Sequence, residues 1–332
     1  MARPKTRQPG FITLLPAKDV KIEKLSFDVE NIRIGHKNFK TQEEVSDELW
    51  KLPDMDLLFD DIKKRGLEEP PIIDSNNVVL EGNRRLAVCQ RLYEEQKKGN
   101  YKEHDFSKIK CREIDPSTSE LDKEAFLASV HIAGKHEWPD VSQARLLKRL
   151  YEERKLSYET LAGITRKSKS TIIKKIEAYD LLLEYQTNFS ADDNWTDKYP
   201  HMWELLRKDL EDVRYTKNKL QSVMRWCYEG RIPNSRDIRL LNVIFENPRA
   251  LHALSNSDMK NAISELMAYD PTVRSSTYKK IVSITKLLYA FPTKEFAQTI
   301  NDPNRVTLLE DLENAAGKLL QQIKSVKRGD KR

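Results

Sequence analysis

Glu81-Gly82-Asn83-Arg84-Arg85 follows a short β-branched run, Val78-Val79-Leu80, and precedes a helical pattern from Leu86 to about Gln96. The order is strand, glycine turn, helix, with two arginines at the helix start. A helix N-terminus offers unpaired N–H groups and a partial positive charge. Gly82 lets a ligand approach the backbone closely, and two guanidiniums add charge and forked donors. Spacing alone leaves two readings open. One is a site for phosphate or another anion. The other is a plain strand-to-helix turn whose arginines are solvated.

The bulk numbers bound what surrounds this stretch. The chain has 332 residues, 39% of them hydrophobic and 33% charged. That length fits two or three domains with ordinary cores, and that composition fits a soluble, mainly helical protein. A net charge of +6 is only mildly basic. A nucleic-acid surface must therefore come from local clustering. Cys89, Cys111 and Cys227 are far apart and show no metal spacing and no CxxC pair. A reducing compartment is the simplest reading. No apolar run reaches the roughly 18–20 residues of a membrane span. Met1 to Gly10 is basic but lacks the apolar core of a signal peptide, so the expected location is the cytoplasm, with no membrane partner.

Outward from the glycine turn, Val20 to Phe27 reads as a strand, with a slip in its alternation between Ile22 and Leu25. Thr41 with Glu44 is a capping-box signature for a helix that Pro53 breaks, and Met55 to Lys64 continues as a second helix ended by Gly66. Ile72 to Asp74 and Val78 to Leu80, joined by Asn76-Asn77, read as a hairpin, and Ile109 to Ile114 as a further strand. Beyond Ser119 the pattern is helical: Leu121–Ile132, Val141–Glu153, then about 200–210, 216–229, 235–246, 258–268, 273–290 and 305–324, punctuated by prolines. Trp203 and the apolar stripe from Leu220 to Cys227 read as helix core.

Ser157 to Tyr179 is a second constellation. A short helix places Leu161 and Ala162 inward, a turn follows at Thr165 to Lys167, and Ser168 or Ser170 caps a second helix with Ile172, Ile173 and Ile176 facing a core. This is a helix-turn-helix pattern, whose second helix would enter the major groove. Arg166, Lys167, Lys169, Lys174 and Lys175 supply cations for phosphates, and Ser170 and Thr171 sit where they can reach phosphates or base edges. The turn lacks the usual glycine and carries Arg166 near that place. The plainer reading is a helical hairpin with a solvated basic face.

Taken together, these parts resemble the ParB/sulfiredoxin superfamily, specifically ParB-like partition proteins, over roughly residues 20–185. Gly66-Leu67-Glu68-Glu69-Pro70-Pro71-Ile72 looks like the family's first box, and Glu81-Gly82-Asn83-Arg84-Arg85-Leu86-Ala87 is similar to its second, Gly-x-Arg-Arg-x-x-Ala. The resemblance implies that Gly82, Asn83, Arg84 and Arg85 contact the phosphates of a nucleotide, CTP or another, bound with Mg²⁺. The third box, an Asn and an Arg, has no clear match. His131 and Lys135, in the equivalent region, would stand in as phosphate contacts; a helix-end histidine and a solvated lysine are the plainer readings. Sulfiredoxins carry a cysteine where this chain has Asn83, and Cys89 lies well inside the helix. Kinase-like relatives need a carboxylate base, for which Glu30 or Glu81 could be named. No metal-spaced acidic or histidine cluster supports a nuclease.

The expected architecture is α+β. A flexible basic arm (1–18) leads into a small ParB/sulfiredoxin-like α/β domain (19–118). A helical helix-turn-helix domain (119–190), an all-α C-terminal domain of unknown role (191–325) and a basic tail (326–332) follow. The expected function is a ParB-like DNA-binding protein with a nucleotide or phosphate pocket, of bacterial, plasmid or phage origin. The alternatives are a nucleotide-using enzyme, such as a CTPase-like triphosphatase or a kinase, and a protein–protein adaptor in a plasmid, phage or defence system. Homodimerisation or a partner protein would use the C-terminal helices. No catalytic residue and no protein-held metal are assigned.

Overall fold

In the computed structural model the described residues are 12–29, 39–134, 138–270, 273 and 275–329, with side chains of the last helix as far as Val326. The chain divides into two units, Met1–Glu246 and Asn247–Arg332. The α+β architecture expected from the sequence is present.

In the first unit, five strands form one sheet: β1 (Lys18–Lys21), β2 (Ser26–Phe27), β3 (Ile72–Ile73), β4 (Val78–Glu81) and β5 (Lys108–Glu113). Their spatial order is β1-β5-β3-β4-β2. The pairs β1–β5 and β3–β4 are antiparallel, and β3–β5 and β2–β4 are parallel. Three helices pack on this sheet: α1 (Gln42–Trp50), α2 (Met55–Arg65) and α3 (Asn83–Lys97). Their shared core includes Leu49, Ile62, Ile73, Val79, Leu86 and Leu92, all buried. Thr41 caps α1 by accepting from the Glu44 N–H at 3.2 Å, as its spacing predicted.

The single strand expected over Val20–Phe27 is a correction. A 3-10 turn at Ile22–Lys24 splits it, and the two pieces lie on opposite edges of the sheet. The slip in the alternation marks the break. Ile22 and Leu25 are both buried, and residues three apart on one strand face opposite sides. The hairpin expectation holds. Ile72 lies opposite Glu81 and Ile73 opposite Val79, and Asp74 Oδ1 accepts from the N–H groups of Asn76 and Val78 at 2.9 and 2.8 Å. Of the N-terminal arm, residues 1–11 lie outside the described residues. Residues 13–15 run beside β5, with Leu15 N–H donating to Glu113 O at 2.8 Å.

The rest of the first unit is helical. Helices α4 (Glu120–Ala133), α5 (Asp140–Glu152), α6 (Tyr158–Thr165) and α7 (Lys169–Asn188) share a core built on Ile132, Leu146, Leu150, Leu161, Ile172 and Ile176. Glu124, buried, is neutralised by Arg149 at 3.1 Å and Arg154 at 2.8 Å. Helices α8 (Tyr199–Leu205), α9 (Glu211–Tyr215), α10 (Lys217–Tyr228) and α11 (Leu241–Glu246) follow. The helix expected over 200–210 stops at Leu205, and a 3-10 turn at Lys208–Leu210 takes its place. Leu220, Val223, Met224, Trp226 and Cys227 are core, as their stripe suggested, and Trp203 is half-buried.

The second unit begins with α12 (Pro248–Asn256) and α13 (Met259–Tyr269), which pack on one another through Ala250, Leu254, Met259, Ala262 and Leu266. Helices α14 (Ser276–Tyr289), α15 (Thr293–Ile300) and α16 (Pro303–Gly329) complete it. Neither α12 nor α15 was anticipated. Pro248, one of the prolines that punctuate the helical pattern, is the first residue of α12, behind an Asn247 cap that accepts from Arg249 and Ala250 N–H groups at 3.1 and 3.0 Å. Proline suits that position because the N–H it lacks would have no partner there. Among the described residues no helix is long and apolar enough to cross a membrane.

Candidate functional site

The end of β4 delivers the chain into Gly82, whose backbone has φ +96°. A side chain would be strained there, and an added Cβ would lie 3.1 Å from the Arg85 guanidinium and from Pro71 Cβ. Leu86 N–H donates to Gly82 O at 2.9 Å, which closes the first turn of α3. Gly82, the cap residue, offers no side-chain acceptor to this helix start, and no acid lies in its first turn. The first-turn N–H groups therefore remain open to an outside acceptor.

This helix start opens on a cavity of about 360 Å³. Stretches from several elements converge there. Gly66 to Glu69 forms one wall and Leu80 to Arg85 another; His131 and Trp138 contribute from α4 and the segment before α5, and Leu58, Asp61 and Ile62 from α2. Both stretches that carry the family resemblance thus face one space, together with the histidine from the region of the unmatched third box. Lys135 lies outside the described residues.

The two arginines differ in their engagements. Arg85 is held between Glu69 and Glu81, forming an ion pair with each. Arg84 makes no ion pair among the described residues. It donates to Pro53 O at 3.0 Å and to Met55 Sδ at 3.2 Å. Burial pushes its guanidinium below the ordinary value, with Asp54 opposing. Asn83 is buried and donates through Nδ2 to Val79 O at 2.9 Å, while its Oδ1, also buried, accepts no hydrogen bond among the described residues. His131, buried at the end of α4, stacks on Trp138 with ring centroids 4.2 Å apart and planes 14° from parallel.

Four carboxylates also line the cavity: Asp61, Glu68, Glu69 and Glu81. Sequence reasoning missed three of these as wall residues and missed Trp138. The four-residue spacing of Glu81 and Arg85 was the available signal for their pair. Nothing local in the sequence announces Trp138. Burial raises the Cys89 thiol to about 12, so it is not a nucleophile at neutral pH.

The second constellation folds as two helices, α6 and α7, joined by a short turn at residues 166–168. Arg166 occupies the left-handed conformation between them, with φ 53°. It does the work a glycine usually does at a helix C-terminus. Ser168 caps α7, its Oγ accepting from Thr171 N–H at 3.1 Å. Arg166, Lys169, Ser170 and Lys174 are exposed, and Lys167 and Thr171 are half-buried. Lys169 is paired with Glu159 of α6. Lys175 is placed apart from the others. It is buried, paired with Asp140 at the start of α5, with its Nζ 6.0 Å from the centre of the Trp203 ring.

No protein-family model and no curated protein matches the chain. Among solved structures it is similar to a Pnob8-like ParB-N domain, at 14% identity and TM-score 0.43, over 74% of this chain and 99% of that one. It is similar to the C-terminally truncated chromosome-partitioning protein ParB from Caulobacter crescentus complexed to the centromeric parS site, at 12% identity and TM-score 0.36, over 68% and 98% of the two chains. The same Caulobacter protein complexed with CTP-gamma-S matches at 13% identity and TM-score 0.21, over 62% and 99%. At such scores function has to be argued from the cavity and the basic helix themselves.

Proposed function

We propose that the chain is a ParB-like DNA-binding protein that holds a nucleotide or another phosphate ligand at Gly82–Arg85. The observation that carries this is the convergence of the Gly66–Glu69 wall, the start of α3 and His131 on one cavity, in the unit that also carries the exposed cations of the α6–α7 turn and α7. The open N–H groups and Arg84 attract an anion, and Arg85 reaches it by exchanging one carboxylate partner for a phosphate oxygen. His131 and Trp138 offer a flat apolar wall. The four carboxylates would repel a bare polyphosphate, so a Mg²⁺ bound with the phosphates would supply the compensating charge. The buried Asn83 Oδ1 fits a water or hydroxyl donor in that complex. DNA would lie against Arg166, Lys167, Lys169, Ser170, Thr171 and Lys174, while Lys175 holds α7 to α5.

Two measurements test this. A thermal-shift panel of CTP, ATP, GTP and UTP with and without Mg²⁺ should raise Tm for at least one nucleotide, because a ligand that binds only the folded state stabilises it, by about 2.7 kcal/mol at a hundredfold excess over Kd. Arg84→Ala and Arg85→Ala should abolish the shift. No shift with any nucleotide would reduce the turn to a structural feature. Gel-shift titrations over a salt series should show affinity falling steeply with salt; absent or salt-independent binding would sink the DNA reading.

The four wall carboxylates favour one second reading, an enzyme that uses the bound nucleotide. Release of labelled phosphate from CTP or ATP, lost in Arg85→Ala, would support it. Glu81 and Glu69 are both engaged with Arg85, so neither is a free base in this state.

A further inference from the structure

A second cavity, of about 310 Å³, opens beside the start of α7. Asp140 at the start of α5, Thr171 and Lys175 on α7, Trp203 and Glu204 on α8, and Ser235 on the 3-10 turn Ser235–Leu240 line it. Its volume is at the small end of what small-molecule sites enclose. It shares no residue with the cavity at Gly82–Arg85.

Two carboxylates border this space, and they are held in different ways. Glu204 accepts from two guanidinium nitrogens of Arg239, at 2.7 and 2.6 Å, a forked pair that uses both of its oxygens. Asp140 is paired with Lys175, and there the burial is lopsided: the lysine side chain is 8% exposed and the aspartate 68%. The cation cannot leave, whereas water can take the anion back. An ammonium carries three donors. Among the described residues Lys175 Nζ meets one acceptor, Asp140 Oδ1, so its other donors are unmatched. Buried polar groups are ordinarily matched. The indole N–H of Trp203 and the hydroxyl of Ser235 also lack a partner among the described residues, and both residues are half-buried. Tyr199, another wall residue, is fixed by its hydroxyl, which donates to Lys175 O at 3.2 Å.

These donors call for an acceptor, and the Trp203 ring, 6.0 Å from Lys175 Nζ, offers a flat surface beside it. A phosphate dianion suits the place poorly, because two carboxylates share the walls. A carboxylate brings one charge and two acceptor oxygens and replaces Asp140 charge for charge. We propose that this cavity is a site for a small aromatic carboxylate, its carboxylate on Lys175 in place of Asp140 and its ring against Trp203. The released Asp140 stays at the start of α5, where the helix dipole favours an acid. The site needs neither the nucleotide reading nor the DNA reading. Lys167 and Thr171 belong both to this lining and to the proposed DNA face, so a DNA strand is the competing occupant.

Calorimetric titration of the full chain with benzoate and 2-naphthoate, against the neutral benzamide and 2-naphthamide, tests this. Each carboxylate should bind on the order of tenfold more tightly than its amide, the effect of one charge-assisted hydrogen bond. Lys175→Met should remove that preference while the nucleotide thermal shift persists. Asp140→Asn should tighten carboxylate binding, because the competing charge is gone and an acceptor for the ammonium remains; it reads the exchange by itself if Lys175→Met fails to fold. No binding of either carboxylate at millimolar concentration, equal binding of acid and amide, or weaker binding by Asp140→Asn would each overturn the proposal. A Lys175→Met chain that loses DNA affinity along with the carboxylate would overturn it too, by assigning the cavity to the DNA backbone.

Discussion

Two helix starts in the first unit carry basic residues, and they are built in opposite ways. At the start of α3 no side chain caps the helix, the entry residue is a glycine at positive φ, and the open N–H groups face a cavity. At the start of α7 Ser168 takes up one donor, the residue at positive φ is an arginine, and the cations stand on an exposed face. Basic residues at a helix start do not by themselves say what is bound. A cavity with unsatisfied donors suits a compact anion that enters whole. An exposed row of cations around a satisfied helix end suits a polymer that lies across it. Substitutions that touch one start and spare the other can break that contrast.

The largest effect is expected at Gly82. Gly82→Val places a β-branched side chain at φ +96°, against Arg85 and Pro71. The strain should cost about 1–3 kcal/mol, read from urea unfolding. The nucleotide-dependent thermal shift should vanish even where the variant is folded, while gel-shift affinity for DNA persists. A variant as stable as the native chain would show that the turn is not held under constraint, and the contrast would lose its first half.

Ser168→Ala is the matching change at α7. Loss of the cap should cost about 1 kcal/mol, with the nucleotide response retained once corrected for the lower starting Tm. Smaller still is a pair of neighbours. Lys174→Ala should lower the slope of log affinity against log salt by about 1, as loss of one phosphate contact does. Lys175→Met should leave that slope unchanged and keep stability near the native value, because Asp140, 68% exposed, stays solvated when its partner becomes apolar, so no buried charge is left unpaired. Equal effects at 174 and 175 would contradict the burial of Lys175.

That pair also shows how far the sequence could be read. Lys174 and Lys175 are indistinguishable in composition. Only the phase of α7 against Asp140 and Trp203 separates them, and those residues belong to other elements. The glycine turn, the hairpin at Asn76-Asn77 and the Thr41 cap were legible because each is decided within a few residues. The split between β1 and β2 was not, because edge positions in a sheet are set by partners distant in sequence. Pro248 misled for a local reason: the same residue that ends one helix can begin the next. In the cavity, the arginines were legible from the motif. Three of the four carboxylates that set its charge balance, Asp61, Glu68 and Glu69, and the Trp138 ring beside His131 were not, since they come from α2, the Gly66–Glu69 loop and the segment before α5.

The finest test of the contrast is Arg166, which serves α7 in two ways at once. Its backbone is left-handed, a conformation costing a non-glycine residue about 1–2 kcal/mol, and its side chain is an exposed cation. Arg166→Gly removes the strain and the charge together. Gly also loses more entropy on folding, which offsets part of the gain. The net stabilisation expected is therefore under about 1 kcal/mol, seen as a small rise in the urea midpoint with an unchanged slope. DNA affinity should fall at the same time, with the salt slope lowered by about 1. Stability and binding would then move in opposite directions, as expected if this arginine is kept for its charge despite its backbone. If the glycine variant is more stable and binds DNA as tightly as the native chain, Arg166 is only a turn residue, and the exposed face of α7 loses its first contact.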